Sequence, residues 1–132
     1  MQKVAFTYRG KVRGQGRPRF AGRRAYKARI DADYERSILA AYRQAAGDLE
    51  PHAGGVAVEI EVHRRLPKSA PKSVKREQDL HKPDVDNVAK AVLDALNGVA
   101  WLDDCQVLDL HVVKHPRKPE TVERLEVVIT RF

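Results

Sequence analysis

Cysteine is nearly absent: Cys105 is the one thiol in the chain, which excludes an internal disulfide and a thiolate zinc site and gives no sign of an oxidising compartment. Long hydrophobic runs are missing too. No window approaches the roughly 20 apolar residues of a membrane-spanning helix, and the opening MQKVAFTYRG holds no apolar stretch of signal-peptide length. The expectation is a cytoplasmic protein without membrane contact. Acid is absent from the first 30 residues, which carry ten Lys and Arg and no Asp or Glu. What is present suffices for one folded domain: 132 residues, 42% hydrophobic and 33% charged, enough to bury a core without staples.

The net charge of +7 points to a polyanion as partner, and its distribution says more. A second basic stretch runs from His63 to Lys82, with seven Lys and Arg against Glu77 and Asp79. Between Asp84 and Asp109 the sign reverses, six aspartates facing Lys90 alone. Basic segments flanking an acidic one suit phosphates gripped by Lys and Arg beside carboxylates that hold a hard cation. Three solvated surface patches are the plainer alternative.

Hydrophobic periodicity orders the chain. Lys3 to Tyr8 alternates as a strand, and Arg9 to Arg24 is a basic loop with a brief hairpin around Arg19 to Tyr26. Asp31 to Ala46 repeats as a helix with Asp31 as N-cap and Gly47 as its stop. Val56 to Leu66 alternates as a strand with one wet face, and Pro67 to Lys82 is a basic loop. From Pro83, an apolar stripe of Val85, Val88, Ala89, Val92, Leu93 and Leu96 predicts a helix, capped by Asp84 and stopped at Asn97-Gly98. Asp103-Asp104 reads as a turn. Gln106 to Lys114 and Val122 to Thr130 read as strands joined into a terminal antiparallel hairpin. The sum is an α+β domain, with a mixed sheet, two main helices and that hairpin.

On the second helix, Asp86, Lys90 and Asp94 stand i, i+4, i+8 on one face, with Asp84 at its start. Helix capping and an exposed salt-bridge ladder explain such residues without chemistry. The pair Asp103-Asp104 shifts the balance. Neighbouring carboxylates repel unless water or a cation relieves them, and Mg²⁺ takes one or two carboxylates plus phosphate oxygens. A carboxylate from Asp84 or Asp86 and one from Asp104 would meet that demand if the helix start and the turn meet in space. Lys90 could then offset charge on a reacting phosphate.

The string from Lys82 through Pro-Asp-Val-Asp-Asn-Val-Ala to Lys90, then Leu93-Asp-Ala-Leu-Asn-Gly98 and Trp101-Leu-Asp-Asp-Cys-Gln-Val107, resembles the signature of the RusA-type Holliday-junction resolvases. Gly16-Arg-Pro-Arg-Phe20 resembles the basic stretch near the start of one branch of that family. The resemblance implies metal-binding carboxylates at Asp84, Asp86 and Asp104, a further acidic position at Asp103, and a catalytic Lys90. It also implies Mg²⁺, for which Mn²⁺ can stand in, a homodimer, and paired nicks across a four-way junction of double-stranded DNA in recombination and repair. DNA contacts are expected from Arg13, Arg17, Arg19, Phe20, Arg23, Arg24 and Lys27 in the first basic segment, and from Lys68, Lys72, Lys75, Arg76 and Lys82 in the second. Phe20 either stacks on unpaired bases or anchors its loop. A broader flap or fork nuclease and a DNA-binding module without catalysis are the rival readings. The PD-(D/E)xK nuclease pattern does not fit, because Lys90 follows Asp86 by four residues on a helix. Trp101 is expected in the core or a dimer interface, Cys105 as a small packed residue, and the five histidines as incidental.

Overall fold

The computed structural model describes residues 1–15, 19–22, 24–26 and 28–132. The main sheet contains β1 (Gln2–Arg9), β4 (Val56–His63), β5 (Val107–Lys114) and β6 (Arg124–Arg131) in the order β1-β6-β4-β5. β2 (Arg19–Ala21) and β3 (Arg24–Tyr26) form a small separate antiparallel hairpin, where the basic loop is expected to fold back. The helices are α1 (Arg29–Ala46) and α2 (Val85–Leu96). Among the described residues no helix is long and apolar enough to cross a membrane.

One face of the sheet is buried because its strands alternate. Val4 and Phe6 of β1, Val56, Val58, Ile60 and Val62 of β4, and Leu125, Val127 and Ile129 of β6 all point into the core. Each fully buried aliphatic side chain contributes about 1.5–3 kcal/mol. α1 lies on β1 through Tyr34, Ile38 and Tyr42, with Phe6 edge-on to Tyr42 and Tyr8 edge-on to Tyr34. α2 closes the layer with Val88, Ala89, Val92 and Leu96, packing on α1 and β5. Among the described residues no helix packs on the opposite sheet face, which carries Glu59, Glu61, His63 and Glu126.

The expected mixed sheet and two helices are present, but the terminal hairpin is not. β5 and β6 lie on opposite sides of β4: β5 pairs with it in parallel, and β6 pairs antiparallel with both β4 and β1. A strand–helix–strand crossover through α2 sets β5 parallel to β4. β6, whose alternation is fully buried, takes the interior position, leaving the more exposed β5 at the edge. Strand order depends on which faces must be covered, and adjacency in sequence does not report that.

Two boundaries and one burial also differ. α1 begins at Arg29 with Ala28 at the N-cap, and Asp31 lies inside its first turn, where its charge still favours the helix dipole. β4 ends at His63, because the Leu66 N–H bonds to the Lys118 carbonyl instead of continuing the ladder. Val85, expected in the buried stripe, is 44% exposed, since it opens α2 beyond the rim of the sheet.

Candidate active site

α2 starts at the end of the sheet where β1, β4 and β5 finish. Its entry is held by two cations from the strand ends: the Arg64 guanidinium donates to the Lys82 carbonyl at 2.8 Å, and Lys114 Nζ to the His81 carbonyl at 2.5 Å. Both cations also face Asp79, whose carboxylate is 1% exposed, at 3.2 Å and 3.8 Å. Glu77 is fixed in the same way, by two backbone bonds and a 2.5 Å side-chain bond to Arg117. Asp79 is therefore a buried anchor and Glu77 a part-exposed one. Lys68, Lys72, Lys75, Arg76 and Lys82 are left outward and exposed. Lys68, Lys72 and Lys75 line a concavity of about 290 Å³.

At the first turn of α2, Asp84 occupies the N-cap position, but its carboxylate makes no capping hydrogen bond. Asp86 is exposed, and neither its carboxylate nor that of Asp84 has a hydrogen-bond or ion-pair partner among the described residues. Of the expected ladder only the Lys90–Asp94 rung forms, at 3.9 Å, with Lys90 63% exposed. Neither a capping hydrogen bond nor the ladder therefore engages the carboxylates of Asp84 and Asp86, although the first-turn position of Asp86 favours the helix dipole. Two uncommitted carboxylates two residues apart are a donor set that suits a hard divalent cation completed by water and phosphate oxygens.

The first basic segment docks directly on this turn. Gln15 N–H donates to the Asn87 carbonyl at 3.0 Å, and Gly14 lies so close that a Cβ there would stand 2.9 Å from Asn87 Cβ and 3.0 Å from Pro83 Cβ. The basic loop expected from Arg9 onward is thus docked at Gly14, with Arg13 next to it. Arg17, Arg23 and Lys27 lie outside the described residues; for Arg19, Phe20 and Arg24 the backbone forms the β2–β3 hairpin, and their side chains lie outside the described ones.

Asp103 and Asp104 lie at the other end of the molecule. Trp101 is fully buried, and its indole N–H donates to Asp104 Oδ1 at 2.9 Å. Asp103 caps a single 3-10 turn, Asp104–Gln106, in a capping box with Gln106. Gln106 also donates to the carbonyls of His52 and Gly54, both at 2.7 Å, tying the turn to the start of β4. Hydrogen bonds from the Cys105 thiol and backbone hold the Asp103 carboxyl below its usual range, and the same carboxylate raises the exposed Cys105 thiol. Cys105 is a solvent-facing residue of this turn, so the packed position expected for it is not found.

The helix start and the acidic turn therefore do not meet within one chain. α2 has twelve residues, which makes it a rod about 18 Å long, and Asp104 follows its far end. The one group of three or more metal-ligating side chains brought together among the described residues is Glu61, His63 and His115. Sequence reasoning missed this group: His111 and His115 do not converge on one strand, but His115 meets His63 across the β4–β5 register.

Comparison with known proteins decides the family. A model of the family described as endodeoxyribonuclease RusA matches residues 9–130. The chain belongs to that family. Uncharacterized protein YqaN of Bacillus subtilis (strain 168) is 33% identical over 134 residues, spanning 93% of this chain and 94% of that protein. Crossover junction endodeoxyribonucleases RusA of Escherichia coli (strain K12) and of Enterobacteria phage 82 are each 47% identical over 55 residues, 41% of this chain and 44% of theirs. A RusA-family chain is a nuclease, so the unpartnered carboxylates flanked by two basic segments have a chemistry to serve.

Proposed function

We propose that this chain is a Mg²⁺-dependent, structure-selective endodeoxyribonuclease that resolves four-way junctions by paired nicking, acting as a homodimer. The observation that carries the reading is the uncommitted pair Asp84 and Asp86, with Lys90 one turn further along, between the docked first basic segment and the anchored second one. Asp84 and Asp86 would hold the cation. When bound, it supplies positive charge that polarises a phosphate and acidifies water. Lys90, whose one ion-pair contact among the described residues is the long exposed one to Asp94, would swing onto a phosphate oxygen as negative charge develops there. Arg13, Lys68, Lys72, Lys75, Arg76 and Lys82 grip the DNA backbone, which gives affinity without sequence readout.

Asp104 keeps one carboxylate oxygen clear of the Trp101 bond, and the length of α2 keeps it from Asp86 of its own chain. A shared cation then needs a second copy, whose acidic turn meets the first copy's helix start. Leu102 and Leu108, 60% and 72% exposed beside that turn, supply apolar surface for such a contact, and β5 supplies a free sheet edge. The other reading, favoured by the indole bond, makes Asp104 a positioning residue for Trp101 alone.

Nicking of four-way, flap, fork, duplex and single-stranded DNA, compared in Mg²⁺, tests the function. Junctions are expected to be cut in preference, and Asp86→Asn to bind them without cutting. A wild-type protein that never nicks a junction refutes the enzyme. Mixed dimers of Asp86→Asn with Asp104→Asn decide the shared site: a shared site leaves one intact pair per mixed dimer and restores nicking. Two inactive variants that stay inactive when mixed place Asp104 in a supporting role.

A further inference from the structure

The face of the sheet away from the helices carries a second cluster of ligating groups. His63 closes β4, and the His115 N–H donates to the Val62 carbonyl at 2.9 Å, which carries the β4–β5 pairing one residue past β5 and sets the two histidines side by side. Their rings stack with centroids 4.3 Å apart and planes 3° from parallel. His115 Nε2 stands 3.1 Å from Glu61 Oε1, and His63 Nε2 stands 2.8 Å from Glu126 Oε2. The ligand atoms of Glu61, His63 and His115 all lie within 4.8 Å of one another.

We propose that Glu61, His63 and His115, with Glu126 as fourth donor, form a site for a borderline divalent cation of the Zn²⁺ class, separate from the carboxylate pair on α2. Two imidazoles and two carboxylates favour Zn²⁺ or Co²⁺ over Mg²⁺, which prefers oxygen donors throughout. A tetrahedral ion with bonds of about 2.0–2.2 Å needs donor atoms about 3.3 Å apart. Two of the donor pairs already stand at 3.1 Å and 2.8 Å, so closure requires the stacked rings to splay and the two pairs to converge. Each ring then keeps its proton on Nδ1 and offers Nε2. Charge suits a cation as well: Glu61 and Glu126 bring two carboxylates to the two imidazoles, and Arg124 Nη2, 3.4 Å from Glu126 Oε2, offsets one of them. An ion here joins the ends of β4 and β5 to the beginning of β6, one residue before the second basic segment leaves the sheet at Arg64.

The test is titration of metal-free, full-length protein with Co²⁺, followed by its visible absorption and then by displacement with Zn²⁺. One Co²⁺ per chain with the absorption of a four-coordinate ion is expected, displaced by Zn²⁺ and not by a large excess of Mg²⁺. His115→Ala should abolish it, and Glu61→Gln, an exposed and conservative change, should weaken binding by about ten-fold or more. His111→Ala, on β5 outside the cluster, and Asp84→Asn should leave it intact. Absence of the Co²⁺ signal from folded wild-type protein, or a signal that survives both His115→Ala and Glu61→Gln, overturns the proposal.

Discussion

Replacing Asp79 by Asn should destabilise the protein by about 3 kcal/mol, a value that follows from how its charge is held. The carboxylate is 1% exposed, and the two cations facing it, Arg64 at 3.2 Å and Lys114 at 3.8 Å, are 17% and 13% exposed. Two unit charges about 4 Å apart attract by about 4 kcal/mol at an effective dielectric of 20. Removing one partner of a buried pair typically costs about 3–5 kcal/mol, because the other charge is left without compensation. The lower end applies here: Arg64 keeps the Lys82 carbonyl, Lys114 keeps the His81 carbonyl, and an asparagine oxygen can still accept from the His81 N–H. At about 2.1 cal/mol/K per residue, 132 residues convert this to a fall of about 10 °C in Tm. Calorimetry measures it, and high salt should change it little because the pair is shielded from solvent. Coupling to Arg64→Met in a double-mutant cycle should be about 1–3 kcal/mol. A fall of under about 3 °C, or strict additivity with Arg64→Met, refutes the claim that this ion pair anchors the entry to α2.

Two further outcomes follow from the same geometry. Gly14→Ala sets a Cβ against Asn87 and Pro83, so it should cost about 1 kcal/mol and slow junction nicking by more than that loss of stability explains; wild-type rates in the variant would contradict docking of the first basic segment on α2. The pKa of His63 is lowered in the folded chain, first by burial and then by Arg124 and His115. The unfolded chain therefore takes up the proton first, and stability present above the unfolded value of about 6.5 is lost as pH falls from there toward the folded value. Melting of metal-free protein between neutral and mildly acid pH should show this loss, reduced in His63→Gln; an equal loss in the variant assigns it to another group.

The residues around the two acidic positions explain which parts of the site were legible. α2 was, because an apolar stripe at helical period and a following Asn97-Gly98 stop state a helix whatever surrounds them. The motif around Trp101 also has a local physical reading: Trp101 fills the core, Asp103 caps the turn, Gln106 ties it to β4, and one Asp104 oxygen is left over. The anchoring role of Asp79 and Glu77 was not legible, since a carboxylate in a basic segment reads the same whether it is solvated, buried against Arg64 as Asp79 is, or paired at the surface with Arg117 as Glu77 is.

The sequence by itself determined the alternation of the strands, the two amphipathic helices, the segregation of charge, and the family signature, because each depends on neighbours within a few residues. Tertiary structure alone decided that β6 lies between β1 and β4, that His115 stands against His63, and that Asp86 and Asp104 face opposite ends of α2. Those outcomes depend on which buried faces must be covered together and on the rigid length of a helix. Both are properties of the packed chain, and no local pattern encodes them.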